Sequence, residues 1–238
     1  MLVAAAVCPC PPLLVPEVAA GAAPELEGAR TACVDALGVL AAARPDRLVV
    51  VGPAEVSETV TYAEGTRGSF RGFGVDVGVR LGRGTPSSAP GPELAPSLAV
   101  AAWLLERTGW EGAPVEGLGV AESLAPRRCE EVGAEIAGAA GRVALLVMGD
   151  ASACRTLKAP GYLDERAAGF DERAARALET VDTAALAALD AGLARELQAC
   201  GRGPWQILAG AAEGAGLSGA LLYDDAPYGV GYLVAAWS

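Results

Sequence analysis

Three short, almost unbroken apolar runs constrain the fold of this chain more than any other feature. They cover Leu2–Cys8, residues 47–51 and residues 142–148, and the last two open on an arginine. A strand with one wet face alternates apolar and polar residues, whereas a strand covered on both faces is apolar throughout. Each run is too short for a buried helix and ends in turn-forming residues: Pro9 after the first, Gly52-Pro53 after the second, Gly149-Asp150 after the third. Between and beyond the runs lie segments of helical periodicity. The chain is therefore expected to be one α/β domain over residues 1–238, with a mixed central β-sheet flanked by helices.

The remaining elements follow from period and punctuation. Leu26, Ala29, Cys33, Leu37 and Leu40 share one helical face, which predicts a helix over 24–43 with Pro24 in its first turn and Arg44-Pro45 at its end. Residues 57–81 alternate and contain Val60, Tyr62, Val75, Val77, Val79 and Leu81, which predicts an antiparallel hairpin or meander with a wet face. Residues 82–92 read as a Gly/Pro/Ser loop. An apolar helix is predicted over 97–107, a strand over Val115–Val120 and a helix over 127–140. Further helices are expected over 170–179, 183–200 (broken near Asp190) and 204–212. Strands over 220–223 and 231–237 close the chain. Ligands of such sheets sit beyond the carboxyl ends of the strands. The loops after Cys8, Val51 and Met148 should therefore meet in one cleft.

Composition excludes several classes. Twenty-nine acidic residues against eighteen basic ones give a formal charge of −11, the wrong sign for a nucleic-acid surface. No apolar stretch is long enough to span a bilayer, and the first residues make a poor leader, so a soluble cytoplasmic protein is expected. The six cysteines are irregularly spaced and form no C-x-x-C pair, which argues against a zinc ribbon and for reduced core residues. There is no P-loop, no strand-linked G-x-G-x-x-G and no G-x-S-x-G elbow. There is no histidine at all.

Several segments together resemble the class III, LigB-type extradiol ring-cleavage dioxygenases and their Memo-like relatives. They are Cys8-Pro9-Cys10-Pro11-Pro12-Leu13-Leu14-Val15-Pro16-Glu17, Val49-Val50-Val51-Gly52-Pro53-Ala54, and Met148-Gly149-Asp150-Ala151-Ser152-Ala153-Cys154-Arg155. Ala199-Cys200-Gly201-Arg202-Gly203-Pro204-Trp205 and Pro227-Tyr228-Gly229-Val230-Gly231-Tyr232 complete the set. The resemblance implies a LigB/Memo-like α/β fold and, in an active member, Fe(II) held by two histidines and a carboxylate, with a further histidine as acid/base. The matching positions here are Cys10, Ala54, Ala153 and the 199–201 segment containing Cys200. None bears an imidazole, and alanine has no donor atom. The resemblance therefore implies a homologue without ring-cleavage activity, binding a small molecule or peptide in its cleft, with homo-oligomers common among its relatives.

Two alternatives stand beside that reading. One is an active metal-dependent enzyme with a non-standard site around Cys10 and Cys200, where thiolates would hold Zn or Cu. Cys8 would share a strand face with Cys10 if the strand continued past it. The other is a structural subunit of a larger complex. A metal-free site is the leading expectation, with Cys10 and Cys200 as small packed residues. The expected ligand pocket comprises Cys10, Pro11, Ala54, Asp150, Ser152 and Tyr228. Asp150 can equally cap the following turn, Tyr228 and Tyr232 can equally be core residues, and Lys158, the sole lysine, reads as a solvated loop residue. Asp224-Asp225 reads as a turn or a cation ligand, and Tyr162 as a candidate acid/base.

Overall fold

The computed structural model describes residues 1–84 and 91–238. The elements, in chain order, are β1 (Leu2–Cys8), α1 (Pro16–Ala19), α2 (Glu27–Ala42), β2 (Arg47–Pro53), β3 (Thr59–Tyr62), β4 (Arg67–Ser69), β5 (Gly78–Arg80), α3 (Pro96–Thr108) and β6 (Val115–Val120). Then follow α4 (Pro126–Gly138), β7 (Val143–Met148), α5 (Arg166–Thr180), α6 (Thr183–Ala187), α7 (Ala191–Glu196), α8 (Arg202–Ala212), β8 (Gly219–Asp225) and β9 (Tyr232–Trp237).

Seven strands form one mixed sheet in the order β3-β6-β2-β7-β1-β9-β8, and β4 pairs with β5 in a separate two-stranded ribbon. The four central strands are parallel, with β7 between β2 and β1 and β6 outside β2. Antiparallel strands complete both edges: β3 beside β6, and β9 then β8 beside β1. The expected single α/β unit with a mixed sheet flanked by helices is the observed architecture.

The apolar runs divide between two cores. Ala5, Val7, Val49, Val51, Leu145 and Val147 pack on one face, against α4, α5 and α8 through residues such as Cys129, Phe170, Trp205 and Leu208. Ala4, Ala6, Cys8, Leu48, Val50, Leu146 and Met148 pack on the other, against α2 and α3 through Cys33, Leu37, Leu98 and Val100. Successive strand residues point to opposite faces, so a helical layer on each side requires an apolar residue at every position. All six residues of β7, the middle strand, are buried.

Two expectations need correction. The helix predicted from residue 24 begins at Glu27, and Pro24 lies in a preceding 3₁₀ segment, Ala20–Leu26. Arg30 stabilises that segment: its buried guanidinium donates to the carbonyls of Leu14 and Ala23 and to the Glu27 carboxylate. The 57–81 segment is not one meander. β3 joins the main sheet through β6, where Gly119 leaves room for Val60 and Ala54, while Val75 and Val77 lie outside any strand. The break near Asp190 is real and divides that segment into α6 and α7, with the Asp190 side chain accepting from the Leu193 N–H. The Gly/Pro/Ser loop of 82–92 falls partly outside the described residues. No described helix is long and apolar enough to cross a membrane.

Candidate functional site

Because β1, β2, β6 and β7 are parallel, their carboxyl ends lie along one edge of the sheet. The loops leaving β1 and β7 are tied together there. The Gly149 N–H donates to the Cys8 carbonyl at 3.0 Å, and the Cys10 N–H donates to Asp150 Oδ1 at 2.8 Å. The turn entering α8 comes from a distant part of the chain and closes over them. Gly149 and Gly201 touch backbone to backbone: a Cβ on Gly149 would sit 2.4 Å from the Gly201 Cα. That approach lets the Gly201 N–H donate to the Asp150 carbonyl at 2.9 Å and the Asp150 N–H donate to Cys200 Sγ at 3.3 Å.

The result is a compact group of three donors. Cys10 Sγ, Cys200 Sγ and a carboxylate oxygen of Asp150 all lie within 4.8 Å of one another. Cys10 is buried, whereas Asp150 and Cys200 are half-buried, so the group is closed toward the core and open toward solvent. The two thiols are neighbours. The Cys200 thiol beside it, then burial, raises the Cys10 thiol well above the ordinary cysteine value. Burial likewise pushes the Asp150 carboxyl up to about 7, against the opposing pull of the Cys10 N–H. Tyr232 is buried beside them. Its phenol is raised first by burial and then by the negative charge of Asp150.

A clasp behind the site fixes the β7 loop. Asp171, buried on α5, accepts the Ser152 N–H at 2.8 Å, the Ser152 hydroxyl at 2.8 Å and Arg155 at 3.0 Å. Burial raises the Asp171 carboxyl, and these donors pull the other way. The Ala151 N–H donates to the Gly231 carbonyl and the Gly231 N–H to the Ser152 carbonyl, each at 2.8 Å, which sews in the approach to β9.

The sequence-derived site residues separate into two sets. Cys10, Asp150 and Cys200 come together. Ser152 is fully buried and faces Asp171, so it serves the clasp. Ala54 stays paired with β6 through its N–H to the Val120 carbonyl, and Ala153 is buried between Leu197 and Gly161, to which its N–H and carbonyl bond. Pro11 is buried at the start of a 3₁₀ turn, its carbonyl accepting from Leu14. Tyr228 is half-buried, and its hydroxyl is enclosed with no hydrogen-bond partner among the described residues.

Asp150 does not cap its own turn; its carboxylate reaches across to the β1 loop. Cys8 does not join Cys10, because β1 ends at Cys8 and the Cys8 thiol pairs with Cys33 on α2. Lys158 and Tyr162 are exposed, and Asp225 accepts the Ala226 N–H within its turn. All six cysteines are free thiols. Two cavities of about 440 and 190 Å³ lie elsewhere, beside the β4–β5 ribbon and α3, lined by residues including Arg67, Arg80, Glu106 and Trp110.

The sequence places Asp150 in one pocket with Cys10, but does not show it as a third donor beside Cys10 and Cys200. The role of Asp171 was missed altogether. The available signal was a pair of acids, Asp150 just after a central strand and Asp171 inside an otherwise apolar helix face.

The fold is similar to that in the crystal structure of the uncharacterized protein JW3007 from Escherichia coli K12. The likeness covers 99% of both chains at 14% sequence identity, with a TM-score of 0.58. At that identity it speaks to the fold alone. No protein-family model and no curated protein matches the chain.

Proposed function

We propose that this chain is a LigB-type, extradiol-dioxygenase-like protein without iron-dependent ring cleavage, acting as a binding protein at the carboxyl edge of its parallel strands. The observation that supports this reading is the donor set at that edge: two thiols and one carboxylate. Oxygen-activating Fe(II) of this type is held by two imidazoles and a carboxylate, with open positions for substrate and O₂. Here Ala54 and Ala153 offer methyl groups where imidazoles are expected, and no histidine exists to take a catechol proton. The residues present do not fit Fe(II) in its ring-cleaving form.

The test is anaerobic reconstitution with Fe(II), followed by catechol substrates and air. Oxygen uptake and the absorbance of ring-opened product are recorded. No turnover above free Fe(II) is expected. Stoichiometric iron with repeated ring opening would overturn the reading.

A further inference from the structure

We propose that Cys10, Asp150 and Cys200 form a zinc site, which names the ligand of the binding protein described above and rests on that reading. Cysteine sulfur and carboxylate oxygen are both zinc ligands, and three protein ligands leave a fourth position for water or a small ligand. The geometry is close to what the ion needs. Zn–S bonds of about 2.3 Å in a tetrahedron place two sulfurs roughly 3.8 Å apart. The donors already lie within 4.8 Å of one another, so side-chain rotation of about 1 Å closes the set.

The surroundings also suit a metal. Asp150 Oδ1 is held by the Cys10 N–H, which fixes the carboxylate while leaving it lone pairs for a cation. Cys200 Sγ accepts the Asp150 N–H, an outer-sphere contact of the kind that orients a ligand. The backbone bonds among Cys8, Gly149, Asp150 and Gly201 hold the three donors on a rigid frame. Two thiols and a carboxyl crowd together there, and among the described residues no basic side chain is hydrogen-bonded to any of them.

The carboxylate decides the metal. Oxygen is a poor ligand for soft Cu(I) and a good one for borderline Zn(II). On binding, each thiol releases its proton to solvent and the sulfur electron pair forms the bond to zinc. No oxidant or reductant takes part. The open side of the site, between the half-buried Asp150 and Cys200, is where the fourth ligand enters.

The experiment uses the full chain, stripped with a chelator under reductant and titrated with Zn²⁺ against a chromophoric competitor. Co²⁺ then serves as a spectroscopic substitute. The expected result is one zinc per chain, a thiolate-to-cobalt charge-transfer band and the visible bands of tetrahedral cobalt. Cys10→Ser and Cys200→Ser should each weaken zinc at least 100-fold and remove or halve the charge-transfer intensity. Cys129→Ser, whose thiol is buried beside Arg202, should keep both signals. If a serine variant fails to fold by circular dichroism, Asp150→Asn supplies the same reading through its zinc affinity.

Unchanged zinc binding in all folded site variants would overturn the proposal, as would cobalt spectra without thiolate character or a site that takes Cu(I) and refuses Zn(II). Failure of the iron-free reading shows instead as ring-cleavage turnover, so the two ideas fail on different readouts.

Discussion

Replacing Asp171 with alanine removes the acceptor that locks the β7 loop in place, and its cost follows from three contacts. The Ser152 N–H and hydroxyl each lose a partner at 2.8 Å inside a fully buried residue. An unpaired buried donor costs about 1–3 kcal/mol. The third contact, to Arg155, adds little, because the Arg155 side chain is 32% exposed and solvent screens the pair. The expected loss is about 3–5 kcal/mol, a large share of a typical domain's stability.

Asp171→Asn should cost less, roughly 1–2 kcal/mol. Its amide carbonyl still accepts the Ser152 N–H, and the Ser152 hydroxyl can rotate to accept from the new NH₂. Urea unfolding followed by far-UV circular dichroism measures both variants, with an unchanged m-value as the check on two-state behaviour. If the alanine variant lost less than about 1 kcal/mol, or no more than the asparagine variant, the clasp would not be what holds the loop.

Two further expectations follow. Gly149→Ala places a methyl 2.4 Å from the Gly201 Cα and must part the two loops, with an expected loss of about 1–3 kcal/mol in denaturant unfolding and a wider Cys10–Cys200 spacing, read as a slower rate of bridging by a short bifunctional alkylating cross-linker. Asp164 accepts both side-chain and backbone donors from Arg166, which lower its carboxyl to about 2. A depressed folded value means that its contribution to stability is present above the unfolded pKa, near 4, and is lost as pH falls through about 2. Carboxyl NMR should find that midpoint near 2, and Arg166→Gln should move it toward 4.

The sheet was readable in the sequence because burial on both faces leaves a one-dimensional trace: every residue of β7 is apolar. The β6 strand was equally legible, with its bounds found at Val115 and Val120. What escaped is what depends on contacts between distant segments. The start of α2 is set by Arg30 bonding to Leu14 and Ala23, and no local rule anticipates a buried arginine there. β3 pairs with a strand more than fifty residues away, so its neighbour could not be read from its own alternation. Asp150 and Cys200 are separated by fifty residues and meet because two glycines allow two backbones to touch. Sequence patterns report the face a residue presents. They say little about which loop folds over which.

The backbone ties around the site have one further consequence. Gly149 to Cys8, Gly201 to Asp150, Ala151 to Gly231 and Gly231 to Ser152 are all main-chain hydrogen bonds. The loops are therefore held in register by atoms that every residue except proline possesses. Side chains at Cys10 and Cys200 can be exchanged without removing any of these bonds. The scaffold behaves as a socket whose shape is independent of what is plugged into it. Single substitutions at these two positions can therefore change the chemistry of the site while the main-chain ties stay in place.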